Sequence, residues 1–122
     1  RLWRRGFNQS VLIGRELSRC SGIEMDHDVI RRCKATPPLR GMTGKQRGRT
    51  VAAAFALGAA AESVLAGKSV LLVDDVYTSG STSGACARLL KKAGAKQVLV
   101  FCWARVISDA ESGRLPVLPG IA

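Results

Sequence analysis

The sequence lacks the marks of an exported or membrane-spanning chain. No apolar run approaches about 18 residues and no signal peptide opens it, so no membrane span is expected and the protein is expected in the cytoplasm. Its four cysteines, Cys20, Cys33, Cys86 and Cys102, share no C-x-x-C spacing. That removes the common zinc and dithiol signatures. Each cysteine falls in or beside an expected helix or strand, which predicts buried, reduced thiols. The single histidine, His27, stands between Asp26 and Asp28 in a turn-like stretch and reads as a surface residue, not a catalytic base. No internal repeat or low-complexity segment interrupts the chain. Acids are scarce as well: nine Asp and Glu stand against 19 Lys and Arg, for a formal net charge of +10.

What is present fits one domain. A chain of 122 residues can bury about two thirds of its unfolded surface. The positive charge is uneven: residues 1–50 carry twelve Lys/Arg against four acids, and residues 51–122 carry seven against five. A basic first half suits an anionic partner, either a pyrophosphate or a nucleic acid, although plain solubility explains it too.

Taken in order, Asn8 is a good helix N-cap, and Val11, Leu12, Gly14, Arg15 and Leu17 continue at helical spacing to about Cys20, with Ser21-Gly22 as the stop. Arg1, Arg4 and Arg5 would then precede a helix N-terminus. Phe7 reads as packing beneath that helix, and Trp3 is open. Residues 29–33 suggest a short strand whose far end, Arg31 and Arg32, is basic. Residues 35–46 form the longest irregular stretch, where Pro37 and Pro38 exclude helix and Gly41 and Gly44 loosen the chain. Thr43-x-x-Gln46 fits a capping box, which predicts a short helix from near Gly44 to about Ala54. Arg40, Lys45, Arg47 and Arg49 make this region strongly basic. Phe55-Ala56-Leu57 suggests a strand and residues 59–65 at most a helical turn. Residues 96–104 predict a second fully apolar strand. Beyond Arg105, Pro116, Pro119 and Gly120 mark a tail, so residues 1–106 are expected to form the domain and 107–122 to lie outside it.

The most informative stretch is residues 70–82, Val-Leu-Leu-Val-Asp-Asp-Val-Tyr-Thr-Ser-Gly-Ser-Thr. Four apolar residues, Val70 to Val73, have the length and composition of a strand buried on both faces, stopped by Asp74 and Asp75. Thr78, Ser79, Gly80, Ser81 and Thr82 follow as a small hydroxyl-rich loop. A helical pattern with Ala85, Leu89 and Leu90 then runs to Gly94. A strand, a loop of small residues and a helix start form an anion site, because free backbone N–H groups and the positive helix end both favour phosphate. Two acids beside such a site suit a sugar phosphate: the loop takes the phosphate, the carboxylates take hydroxyls or a metal.

This pattern resembles the phosphoribosyl pyrophosphate (PRPP) motif of the type I phosphoribosyltransferases. Arg5-Gly6-Phe7-Asn8-Gln9, then Thr36, then Arg47 ahead of Ala54-Phe55, then Asp74-Asp75 occur in the order found in the ComF family, whose members are associated with competence for DNA uptake. The resemblance covers about residues 1–105. It implies an α/β fold with an open, mainly parallel sheet flanked by helices. It also implies Mg²⁺ as cofactor and PRPP and pyrophosphate as ligands, with a nitrogen acceptor it does not identify. Asp74 and Asp75 would hold the ribose hydroxyls, or Mg²⁺ directly or through water or ribose. Residues Thr78, Ser79, Gly80, Ser81 and Thr82 would cradle the 5′-phosphate. Lys45, Arg47 and Arg40, carried on a mobile lid, are the candidates for stabilising the departing pyrophosphate.

The chain also departs from the family. Its zinc-binding segment and the strand before the pyrophosphate loop would lie ahead of Arg1, which predicts a piece of a longer protein. Leu39 stands where Gln is usual and Thr50 where Asn is. Thr78 occupies the position at which purine-salvage relatives carry an acid, so base chemistry by that route is not expected. The alternative is a catalytically silent PRPP sensor or nucleic-acid-binding module contacting DNA through Arg1, Arg4, Arg5, Arg31 and Arg32. Oligomeric state is open.

Overall fold

A computed structural model describes residues 2–106, with side chains from residue 9 onward; the expected tail, 107–122, lies outside the described residues. The elements run α1 (Leu2–Ser21), β1 (Ile30–Arg32), α2 (Gly44–Ala52), β2 (Phe55–Leu57), α3 (Ala61–Leu65), β3 (Ser69–Tyr77), α4 (Ser81–Lys92) and β4 (Gln97–Arg105). The α/β layout is as expected. β3 and β4 pair in parallel from Ser69↔Gln97 to Tyr77↔Arg105, joined by α4 as the crossover that a parallel pair requires. β1 and β2 form a separate antiparallel pair, with Arg32 opposite Phe55.

Strand alternation explains the core. Val70 and Leu72 share one face of β3 and, with Val98 of β4, Val29 and Leu57, pack on the buried cluster Ala61, Leu65, Leu90, Ala93 and Ala95. α4 is held by Leu90, which is only 2% exposed. Across β3, α1 supplies the second layer. A cleft of about 550 Å³ remains between α1 and β3, lined by Val11, Gly14, Leu17, Met25, Leu71 and Val73 among others; no residue of the loop 78–82 reaches it.

Several expectations need correction. The helix at the start does not begin at Asn8: α1 runs unbroken from Leu2 to Ser21. An Asn inside a helix costs less than about 1 kcal/mol relative to Ala, less than abandoning two turns of backbone hydrogen bonds. Arg4 and Arg5 therefore lie within the helix, not ahead of its N-terminus, and Arg1 lies outside the described residues. The apolar runs of β3 and β4 are not buried on both faces, since Leu71, Leu99 and Val100 are exposed and Trp103 is 74% exposed. An apolar run marks a doubly buried strand only where helices cover both faces, and this two-stranded sheet is covered in part. Asp74 and Asp75 do not end β3, which continues to Tyr77.

The cysteines are all free thiols but not all buried: Cys20 and Cys33 are exposed and Cys102 is half-buried. Cys86 lies in α4 at 5% exposure. Burial first, then the nearby charge of Asp74, push its thiol up to about 12, with Arg32 opposing. A thiol-selective reagent at neutral pH is expected to label Cys20 and Cys33 rapidly and Cys86 only on unfolding, as peptide mapping would read. Labelling of Cys86 as fast as that of Cys33 would contradict this packing.

Candidate functional site

The site is built where β3 runs into α4. Asp74 lies on the strand face of Val70 and Leu72, toward α4, and is half-buried. Burial raises its carboxyl above the usual carboxylate range, and the adjacent Asp75 charge adds to the rise. Asp75 Oδ1 accepts a hydrogen bond from the Val76 amide at 2.9 Å. The register passes from Asp74↔Cys102 to Val76↔Ala104, so the strand is least regular at Asp75.

After Tyr77 the chain reverses within three residues. Gly80 is the N-cap of α4 with φ +74° and supplies no side-chain acceptor to the first turn. Gly80 therefore leaves the first-turn amides without an acceptor from the cap itself. The Ser79 and Ser81 hydroxyls lie 2.8 Å apart, and Ser81 N donates weakly to Ser79 Oγ at 3.4 Å. Thr78, Ser79 and Thr82 are exposed; Gly80 and Ser81 are half-buried. Behind them, buried Ser83 donates to Gly80 O at 3.4 Å and the Gly84 amide to the same oxygen at 2.8 Å, which seats the loop on the helix. The structure brings Asp74, Asp75 and all five loop residues to one end of β3, as the sequence led one to expect.

Tyr77 is an addition that sequence reasoning missed. Its ring lies over Gly80 so closely that a Cβ there would overlap the hydroxyl and stand 2.8 Å from Cζ. Arg105, its register partner on β4, sits 5.8 Å over the ring centroid, and the Val106 amide donates to Tyr77 O at 2.9 Å. The available signal was the aromatic residue ending the strand three positions before a glycine.

The basic candidates are not all carried on a loop. Lys45 is exposed and lies in α2, the short helix expected from near Gly44. α2 is secured by the capping box: Gln46 N donates to Thr43 Oγ1 at 3.3 Å and Thr43 N to Gln46 Oε1 at 2.9 Å. The helix ends at Ala52, two residues short of the predicted end. α2 packs on α4, so Lys45 and Arg47 ride on a helix that packs against the one the loop opens. Arg47 is half-buried, and its Nε is shut off from solvent with no hydrogen-bond partner among the described residues. Arg40 is exposed in the preceding segment. Of the arginines offered for nucleic acid, Arg31 pairs with Asp28 at 2.8 Å, and Arg32 is half-buried, donating to Thr36 Oγ1 at 2.5 Å and stacked on Phe55. Neither is an open phosphate contact. His27 is exposed, 3.8 Å from Asp28, as a surface histidine should be.

The geometry sets a glycine-capped helix start beside two carboxylates at one strand end. Residues 16–117 match the family described as phosphoribosyl transferase domain. The chain is 38% identical over 105 residues to competence protein F of Haemophilus influenzae, covering 86% of this chain and 45% of that one. It is 38% identical over 107 residues to the DNA utilization protein YhgH of Escherichia coli K12, covering 88% and 45%. A ribose-phosphate pyrophosphokinase of Corynebacterium glutamicum is 43% identical over 49 residues, 40% of this chain and 15% of that protein. No solved structure matches the chain. The chain belongs to the phosphoribosyltransferase domain family, in its ComF group, and spans about half the length of the curated relatives it matches.

The raised Asp74 pKa has a direct consequence for stability. Because the folded state holds this proton more tightly than the unfolded chain, stability is full below the ordinary carboxylate value and falls as pH rises through the folded value. Asp74→Asn is therefore expected to be more stable than the parent at neutral pH, with the gain vanishing on acidification. Urea unfolding at both pH values checks this; a variant less stable at neutral pH would contradict it.

Proposed function

We propose that the chain binds PRPP at the β3–α4 junction and, with Mg²⁺, displaces pyrophosphate at ribose C1′ by a nitrogen nucleophile. The observation that carries this is the glycine-capped start of α4 at Gly80 beside two carboxylates on the same strand end. The 5′-phosphate would accept from the amides and hydroxyls of residues 78–82, and the ribose 2′- and 3′-hydroxyls would donate to Asp74 and Asp75. In the reaction the C1′–O bond breaks with its electron pair leaving on pyrophosphate, a C1′–N bond forms, and the nitrogen gives up a proton. Thr78 cannot take that proton, so the acceptor must lose it elsewhere. The charge on pyrophosphate is what the protein would stabilise, through Lys45, Arg47 and Arg40. Of these, Arg47 is half-buried, and Lys45 and Arg40 are exposed.

The donor set fits Mg²⁺. Among the described residues no group of three or more His, Cys, Asp or Glu forms a metal cage. Mg²⁺ is commonly held by one or two carboxylates plus substrate phosphates and water, which Asp74 and Asp75 can provide. When bound, the ion would neutralise charge on pyrophosphate.

The H. influenzae and E. coli relatives carry names tied to competence and DNA utilization, which supports a place for this chain in DNA uptake or use. That second reading, a silent PRPP sensor or DNA-binding module, draws little from Arg31 and Arg32, given their partners.

Calorimetric titration of PRPP with and without Mg²⁺ into the parent, Asp75→Asn and Gly80→Val tests the proposal. A hydrogen bond to a charged group contributes roughly 1.5–3 kcal/mol, so Asp75→Asn should weaken binding about ten- to hundred-fold. Gly80→Val should weaken it at least about tenfold, since a β-branched residue at positive φ is strained by about 1–2 kcal/mol and crowds Tyr77. Equal affinity in all three proteins would refute the site.

A further inference from the structure

We infer that Arg32 clamps the neck of the cation-bearing segment 33–54 and is thereby a positioning residue for Lys45 and Arg47; its role in PRPP binding rests on the transferase reading above. The segment leaves the small sheet after Arg32 and returns at Phe55. These two residues are register partners, and the Arg32 guanidinium lies 5.5 Å over the Phe55 ring centroid. Beside them the Cys33 and Lys34 amides both donate to Ala54 O, at 2.7 and 3.4 Å, closing the neck. Arg32 also reaches forward, donating from Nη2 to Thr36 Oγ1 at 2.5 Å. Thr36 precedes Pro37-Pro38, whose rings fix φ, so the direction set at Thr36 carries on toward Arg40.

The guanidinium points inward. Its Nε is shut off from solvent, and its charge is felt at buried Cys86 on α4. One side chain therefore stacks on the returning strand, holds the departing one and faces the helix that forms the phosphate loop. A planar fork can do all of this at once; an ammonium cannot both stack flat and direct a second donor.

Hydrogen exchange of the parent, Arg32→Lys and Thr36→Val tests the clamp without any ligand. Arg32→Lys should speed exchange at amides 34–50 by about tenfold or more while β3 and α4 keep their protection. Thr36→Val should do so in smaller measure, since it removes only the Thr36 bond and leaves the Phe55 stack. Adding it to Arg32→Lys should change little, because the lysine variant already lacks that bond. Acceleration spread over β3 and α4, or none in 34–50, would overturn the clamp. A second arm titrates PRPP and ribose 5-phosphate with Mg²⁺ present. Arg32→Lys should weaken PRPP alone, since only PRPP carries the pyrophosphate that Lys45 and Arg47 would meet. Equal weakening of both ligands would overturn the positioning role. Absence of PRPP binding by the parent would count against the transferase reading, and the exchange arm would still decide the clamp.

Discussion

The site depends on one backbone constraint, the positive φ of Gly80. At φ +74° the chain turns from β3 into α4 across only Thr78, Ser79 and Gly80. A β-carbon is disfavoured there twice over, by the left-handed conformation and by Tyr77 lying over the Cα. Because the turn is so short, the first-turn amides of α4 and the carboxylates of Asp74 and Asp75 end up at the same edge. Because the cap is glycine, no side chain of the cap itself competes with an incoming anion for those amides. The core holds this junction from below: Leu90, Ala93 and Ala95 fasten the far end of α4 to Val70, Leu72 and Val98.

The arrangement is not the most stable one available. Asp74 sits where burial and a neighbouring acid both oppose its charge, and Arg47 keeps an unsatisfied Nε. Strained groups of this kind gather at functional sites, where a ligand supplies the missing partner. In a largely apolar strand a half-buried Asp74 has no evident structural use. PRPP would meet both needs together, with ribose hydroxyls at Asp74 and Asp75 and phosphate oxygens at the cations of α2.

Features encoded by a few adjacent residues were legible in the sequence. The capping box of Thr43 and Gln46, the short strand Phe55–Leu57 and the β3–loop–α4 run each carry their own signal, and the last of these, with Arg5–Gln9, Thr36, Arg47 and Ala54-Phe55, carried the family resemblance. Features that arise from pairing distant segments were not legible. Tyr77 gains its meaning from Gly80 packing and from Arg105 on β4, and Arg32 from Phe55 across the small sheet. Arg32 read as a free cation for nucleic acid because nothing in its own stretch shows that it turns inward. Asn8 misled for a related reason: a good cap residue is only a cap if the helix stops there, and the turns before it also form. Apolar runs signalled strands correctly but overstated their burial, which depends on how much of the sheet the helices cover. Whole-protein activity lies further off still, since the matched relatives are about twice as long.

The central claim is that carboxylates and loop act together as a receptor for a phosphorylated ribose. Ribose 5-phosphate carries the groups this junction would hold and none of the pyrophosphate that α2 would meet. Calorimetric titration of the unmodified protein with ribose 5-phosphate, against inorganic phosphate as the competitor that fills the loop alone, separates the two contributions. The account predicts one-to-one binding of ribose 5-phosphate at least about tenfold tighter than that of phosphate, the margin that one charged hydrogen bond supplies. Equal affinities, or no binding of ribose 5-phosphate up to about 1 mM, would contradict it.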